Sequence, residues 1–452
     1  MPFDLTKEYL NRIEVAIEQE DEASIIAELE DLYPADISTI LYELDGKEAK
    51  YVLGLLDKEI GAEIVSNLDD DHRQIFLKNF SSEELATYID LIDSDDAVDI
   101  LNDQPIRIRE EVLAYLKDRE QARFIIDLMS YPEDVAGGLM QKELIKINIR
   151  QTVTECVEEI RRQAEDVEKV YTVYVVDDDQ ILKGVVALTS IILAKRGSKI
   201  ADIFDDDIIS VETYRPAEEV ADLMQKYDLD AVPVVNIQGR LLGRITIDDV
   251  VDVITEQAEE DIQAMTGVSA SVEEDDTVWQ ITRARLPWLA IGMAGSLLAA
   301  KFLGLFEHDL LATIPALALF IPIVGSTGGN VGIQTSSFMV QILSDKSGLE
   351  MGYTERLTKI ILIALVKGAL VCSFVFLMMF FALTYPLKLS LVVSISLFAV
   401  VLISSFTGTV TPIILDRFGI NPSVASGPFI TTANDFLGYG VYFSIAYLLY
   451  IL

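Results

Sequence analysis

The chain has 452 residues, 73 acidic and 35 basic, and a net charge of −38 at neutral pH. From Leu286 onward acids and bases balance at seven each, so the first 285 residues carry the whole excess, 66 acids against 28 bases. That excess argues against nucleic acid or anionic lipid as a partner of the acidic part and favours cations.

Cys156 and Cys372 are the only cysteines, and His72 and His308 the only histidines, all far apart in the chain. They offer no disulfide framework, zinc cluster or catalytic pair. The opening Met1-Pro2-Phe3-Asp4-Leu5 has neither a basic stretch nor an apolar core. It does not read as a signal peptide, and the acidic part is expected in the cytoplasm.

Residues 1–135 are expected to form an all-α, acidic N domain. Apolar residues recur at three and four, as in Ile37, Ile40, Leu41 and Leu44, or Val52, Leu53, Leu55 and Leu56. Ser81-Ser82-Glu83-Glu84 has the pattern of a helix start. Units of about 25 residues, each a helix pair, predict a small solenoid. One stretch is crowded with carboxylates: Asp90, Asp93, Asp95, Asp96, Asp99 and Asp103. In a helix, Asp95, Asp99 and Asp103 share a face, where like charges repel unless neutralised. A solvated acidic face and a divalent-cation site both fit.

Residues 136–254 change character. Two copies of a strand–turn–strand–helix pattern, each preceded by a helix, align without gaps at an offset of about 59. Tyr171–Val176 matches Asp230–Val235, and Gly184–Ser190 matches Gly243–Asp249. This α/β duplication resembles a tandem pair of CBS domains, about 136–203 and 204–254. The resemblance implies a nucleotide element, kept in the second copy as Thr246 and Asp249, whereas the first has Ala187 and Ser190. ATP on the second copy and a structural, signal-transmitting pair both remain open. No Gly-Lys-Ser/Thr phosphate loop is present, so no enzyme is expected and nucleotide would be regulatory.

An acidic helix over 250–276 is predicted next, making 255–280 a connector toward the membrane. A flexible linker would carry more glycine, proline and serine. After Arg285 the apolar runs lengthen enough to cross a bilayer. Five are predicted, at about 286–306, 311–343, 357–385, 388–413 and 425–452, placing the transmembrane domain at 281–452. Lys346, Arg356, Lys359 and Arg417 would then be cytoplasmic, leaving the N-terminus inside and the C-terminus outside. The second run holds Gly325, Gly328, Gly329, Asn330, Gly332 and Gln334, for which lipid offers no polar partner. Tight helix packing explains the glycines; Asn330 and Gln334 favour pore lining. Asp435 is the one acid within a span, costing at least ~2.5–3.5 kcal/mol. A carboxylate satisfied by neighbouring Thr or Asn is one explanation; half of a cation site shared across a twofold homodimer is the other. Carboxylate and hydroxyl oxygens suit Mg²⁺ better than soft metals.

Four stretches together resemble the MgtE-type bacterial magnesium transporters: Tyr131–Met140, the CBS pair with its acidic connector, Gly328-Gly329-Asn330-Val331-Gly332, and Ala425-Ser426-Gly427-Pro428 leading to Asp435. The resemblance implies a homodimer with an N domain, a CBS pair, a plug helix and five membrane helices per chain. It implies a Mg²⁺-selective channel or transporter of the plasma membrane, with Asp435 recognising the ion. Gly328, Gly329, Asn330, Ser426, Gly427, Pro428, Thr431 and Thr432 would line its pore. It further implies closure when cytosolic Mg²⁺ binds among Asp95, Asp99, Asp248, Asp249, Asp252, Glu256, Glu259 and Glu260. The alternatives are a broader carrier for Mn²⁺ or Co²⁺, and a membrane-anchored CBS sensor without transport.

Overall fold

The computed structural model describes residues 5–68, 70–164, 172–195, 197–268, 277–306, 310–344 and 353–450. The chain divides into two units, 1–255 and 256–452.

Ten short helices open the first unit: α1 Lys7–Glu18, α2 Glu22–Leu29, α3 Pro34–Tyr42, α4 Gly46–Leu55, α5 Lys58–Ser66, α6 Asp70–Leu77, α7 Ser82–Ile89, α8 Ser94–Asn102, α9 Ile106–Tyr115 and α10 Arg119–Leu128. From α2 to α9 they begin every twelve residues, so the repeat is a helix pair of 24, close to the expected 25. Capping sets the step. Asp45 accepts from the Lys47 and Glu48 amides, and Ser81 and Glu84 form a reciprocal box. Alternate helices pack, α3 on α5, α5 on α7 and α7 on α9, as a solenoid requires.

In the second half of this unit, β1 Ile145–Asn148, β2 Val173–Val176 and β3 Leu182–Val186 form one sheet; β4 Val211–Glu212, β5 Ala231–Val235 and β6 Leu241–Thr246 form another. In each, the first strand runs parallel to the second and the third antiparallel. Val175 pairs with Gly184 and Val234 with Gly243, and each ladder slips beside that pair, after Val175 and Val234. The 59-residue offset is therefore a structural duplication down to the irregularity. Glycine is required at both pairing positions: a Cβ on Gly184 would run into the Asp205 carbonyl, and one on Gly243 would stand 2.6 Å from the Gln141 carbonyl. Helices α11 Ala136–Leu139, α12 Val153–Gln163, α13 Leu188–Leu193 and α14 Ala217–Tyr227 complete the pair. Val135 and Gln141, ahead of β1, bridge to Pro216 and Arg244 of the second copy.

Helix α15, Ile247–Thr266, begins earlier and ends sooner than the predicted 250–276. Gly267 stops it at φ +84°, with the Val268 amide donating to the Gln263 carbonyl and Gly267 to Ala264. Residues 269–276 of the expected connector lie outside the described residues.

The second unit holds α16 Val278–Gly304, α17 Ile321–Ser344, α18 Tyr353–Leu377, α19 Leu387–Arg417 and α20 Pro428–Tyr450. Among the described residues, four segments are long and apolar enough to cross a membrane: 278–304, 315–343, 358–382 and 387–417. The 23-residue α20, with four Tyr, two Gly, two Thr, Asn434 and Asp435, is not among them. Lys346 of the expected cytoplasmic loop and the Arg356 side chain lie outside the described residues.

The glycine-rich segment of α17 is continuous helix. Gly325, Gly328, Gly329 and Gly332 are all buried, so close packing accounts for them. A Cβ on Gly328 would press on Val400 and Ser404 of α19, and one on Gly329 on Thr431 of α20. Helix α19 is the central member, with Ser390, Ser394, Ser396, Ser404, Ser405 and Thr409 buried along it.

Candidate functional sites

Two places concentrate chemistry: a carboxylate among the membrane helices and an acid cluster in the first unit. On α20, Asp435 and Tyr439 stand four residues apart and share a face. Opposite them α17 presents Gly325, where a Cβ would stand 3.1 Å from Asp435 Oδ1 and 2.5 Å from the Tyr439 hydroxyl. Among the described residues nothing donates a hydrogen bond or ion pair to Asp435. The neighbouring Asn434 is fully buried and serves α19 instead, its Oδ1 accepting from the Thr407 hydroxyl at 2.6 Å. Its amide nitrogen has no hydrogen-bond partner and fills the space a Cβ on Gly332 would need. The explanation of Asp435 as a carboxylate satisfied by a nearby Thr or Asn therefore finds no such bond.

The other expected pore residues divide. Asn330 is exposed, donating weakly to Ser326 at 3.4 Å, and Ser326, Asn330 and Gln334 form one exposed stripe along α17. Thr431 lies against Gly329, and Thr432 packs into Gly295 of α16 while its hydroxyl donates to the Pro428 carbonyl. Gly427 lies against the Met265 carbonyl, and the Pro428 ring against Gly267. The side chain of Ser426 lies outside the described residues. Sequence reasoning missed the partner of this corner: Asp261, whose Oδ1 accepts from Asn421 Nδ2 at 2.9 Å and Ser423 Oγ at 2.8 Å. It also missed Tyr439 and Asn434. The only sequence signal for them was proximity to Asp435.

In the first unit, the start of α8 is buried against the lead-in to the CBS pair. Ser94 Oγ donates to Glu143, and the Lys142 amide to Ser94. Gln141 Nε2 donates to Asp95 Oδ2 at 3.2 Å, and Arg244 Nε to Gln141 Oε1 at 2.8 Å. Asp95 Oδ1 is buried with no hydrogen-bond partner. Burial, then the charges of Asp249, Asp96, Glu143 and Asp93, hold the Asp95 carboxyl well above the usual carboxylate range. Burial likewise raises Asp249, to about 6, as well as Asp96 and Glu143. Thr246 donates from both hydroxyl and amide to Asp249 Oδ2, so the expected nucleotide pair is tied together at the start of α15. The first copy makes no such bond, since α13 opens at Ala187 without a side-chain cap.

The predicted three-acid face separates in the structure. Asp95 is buried, Asp99 is exposed, and Asp103 is neutralised by Arg73 at 2.8 Å. Asp248, Asp252, Glu256, Glu259 and Glu260 are exposed along α15. A cavity of about 880 Å³ opens beside the cluster, with Asp93, Asp96, Asp118 and Glu143 in its wall. Among the described residues no three acids or histidines are grouped closely enough to cage a metal ion unaided.

A solenoid of acidic helices, a CBS pair and a bundle of apolar helices holding a carboxylate, Asp435, with no partner among the described residues define a membrane transport protein with a cytosolic regulatory part. The chain matches the divalent cation transporter family MgtE over residues 321–445, the MgtE intracellular N domain over 32–134 and CBS domains over 134–197 and 200–256. It is 32% identical over 449 residues, 97% of each chain, to the magnesium transporter MgtE of Thermus thermophilus, and 28% identical over 92% of each to that of Bacillus subtilis. It belongs to the MgtE family. Among solved structures, the cytosolic domain of the Mg²⁺ channel MgtE in complex with ATP is 33% identical, covering 54% of this chain and 99% of its own, at a TM-score of 0.51.

Proposed function

We propose that this chain is a Mg²⁺-selective channel or transporter of the plasma membrane, working as a homodimer and closed by cytosolic Mg²⁺. The observation that carries the reading is the pairing of Asp435, without a protein partner, with an exposed polar stripe on α17. Neither is tolerable against lipid, so both must face water or a second chain. Two chains would bring two Asp435 carboxylates to one axis and balance a divalent charge. Mg²⁺ gives up water reluctantly and is often held through its hydration shell by one or two carboxylates, which suits this sparse site. The fifth span is α20, which leaves the C-terminus outside.

The sensing role falls to Asp95, Asp99, Asp248, Asp249, Asp252, Glu256, Glu259 and Glu260. Asp95 and Asp249, raised by burial and by neighbouring carboxylates, are groups that a cation stabilises by neutralising them. ATP is a regulatory ligand of the second CBS copy, as the relative solved with ATP suggests, with Thr246 and Asp249 offering the hydroxyl and carboxylate that a ribose takes.

The deciding experiment is Mg²⁺ entry into proteoliposomes bearing the full chain. Asp435→Ala is expected to abolish it; unchanged flux in that variant would defeat the site assignment. Equal entry of Mn²⁺ or Co²⁺ would favour the broader carrier, and no flux from wild-type protein the sensor without transport.

A further inference from the structure

We infer that Tyr439 is a specificity-determining residue of the ion site, its hydroxyl acting with Asp435 as a second fixed oxygen over the clearing left by Gly325. This rests on Asp435 being the ion-recognising carboxylate. Both oxygens converge on one point of α17: a Cβ on Gly325 would lie 2.5 Å from the Tyr439 hydroxyl and 3.1 Å from Asp435 Oδ1. Any side chain there would displace one or both, so glycine is needed for room rather than for backbone freedom.

Among the described residues neither oxygen has a hydrogen-bond partner. Tyr439 is therefore not anchored by its hydroxyl, and a phenol in apolar surroundings ordinarily finds a partner. A hydrated Mg²⁺ supplies one, since its bound waters are donors set in a rigid octahedron. The carboxylate accepts from one water and the phenol oxygen from another. Two fixed acceptors reward a shell of one size and shape. Ca²⁺, with longer and more variable oxygen distances, gains less from the same pair.

The test uses full-length protein in proteoliposomes, measuring initial uptake of Mg²⁺ and of Ca²⁺. Tyr439→Phe keeps the ring and removes only the oxygen. It is expected to raise the KM for Mg²⁺ about 3- to 10-fold, the worth of one hydrogen bond, with maximal rate within about twofold. Discrimination against Ca²⁺ should fall by a similar factor. A purely structural tyrosine would lower yield or Tm and leave KM and selectivity unchanged, which would overturn the inference. Gly325→Ala is a second, independent probe: its methyl collides with the phenol oxygen and should cut uptake. Adding Tyr439→Phe to that variant should restore part of the rate, and failure to restore any would count against convergence of these groups. Asp435→Ala separates the two readings. If it transports normally, the carboxylate assignment itself falls. If it is inactive while Tyr439→Phe matches wild type in KM and selectivity, only the role of Tyr439 falls.

Discussion

Asp249 is the residue whose titration carries the clearest consequence. Burial raises its pKa from 3.8 to about 6, so the folded chain holds a proton there that the unfolded chain has lost. The stabilising contribution is complete below 3.8, declines as pH rises through this window and is gone above about 6. Asp249→Asn keeps an acceptor for Thr246 and removes the charge. Relative to wild type without Mg²⁺, it is expected to melt higher at pH 7 than at pH 4.5, measured by Tm at both values. Equal shifts at both pH values would show the carboxyl to be unstrained. Gly332 offers a second single-residue check, because a methyl there meets the Asn434 amide nitrogen in a fully packed interface. Overpacking of this kind costs about 1–3 kcal/mol, so Gly332→Ala should lower the Tm of the detergent-purified protein by several degrees. The sequence marked both residues, Gly332 in the glycine-rich run and Asp249 also for Mg²⁺ sensing, but not the crowding around either. Asp249 was marked for a ribose contact, and its place beside Asp95 and Asp96 depends on α8 and α15 coming together.

At the scale of elements, the corner joining the end of α15 to the start of α20 matters most. Asp261 takes two hydrogen bonds from Asn421 and Ser423, and Gly267 fits against Pro428 at the first turn of α20. The helix ahead of the bundle is thereby fastened to the helix that carries Asp435. Asp261→Ala removes the acceptor for both donors, and a hydrogen bond to a charged group is worth about 1.5–3 kcal/mol. The expected result is uptake that responds less steeply to internal Mg²⁺, with KM for external Mg²⁺ unchanged. An unaltered response would mean the fastening is only structural. The elements themselves were largely legible. The 24-residue solenoid step follows from apolar spacing and helix caps, and the CBS duplication was visible as an ungapped offset. The extent of α15 was not, because its end is set by the left-handed turn at Gly267, which the apolar spacing upstream does not mark.

For the whole molecule, the proposed closure by cytosolic Mg²⁺ asks how a net charge of −38 could act as a switch. Moving a gate from 1:99 to 99:1 takes about 5.5 kcal/mol of differential binding. One weak site held at ten times its dissociation constant supplies only about 1.4 kcal/mol. About four such sites are needed, so carboxylates distributed over the N domain, CBS pair and α15 serve better than one cage. Neutralising Asp95, Asp99, Glu256 and Glu259 together is expected to leave Mg²⁺ entry running at high internal Mg²⁺, read as flux against internal concentration. Closure unchanged from wild type would overturn the distributed mechanism.

The sequence by itself determined the architecture: an acidic helical domain, a duplicated α/β pair, an acidic connecting helix and a bundle of apolar helices. Periodicity, caps and charge segregation are local quantities, and they are written along the chain. It also marked Asp435, because a charge inside an apolar run is costly enough to stand out before its neighbours are known. Only the tertiary structure decided which acids share an environment. Asp95, Asp99 and Asp103 look equivalent at a spacing of four, yet one is buried, one exposed and one paired with Arg73. It likewise placed Gly328 against α19 and Gly329 and Gly332 against α20, and Gly325 beside Asp435 and Tyr439. Such assignments depend on what arrives from distant segments, and no spacing within one segment encodes that.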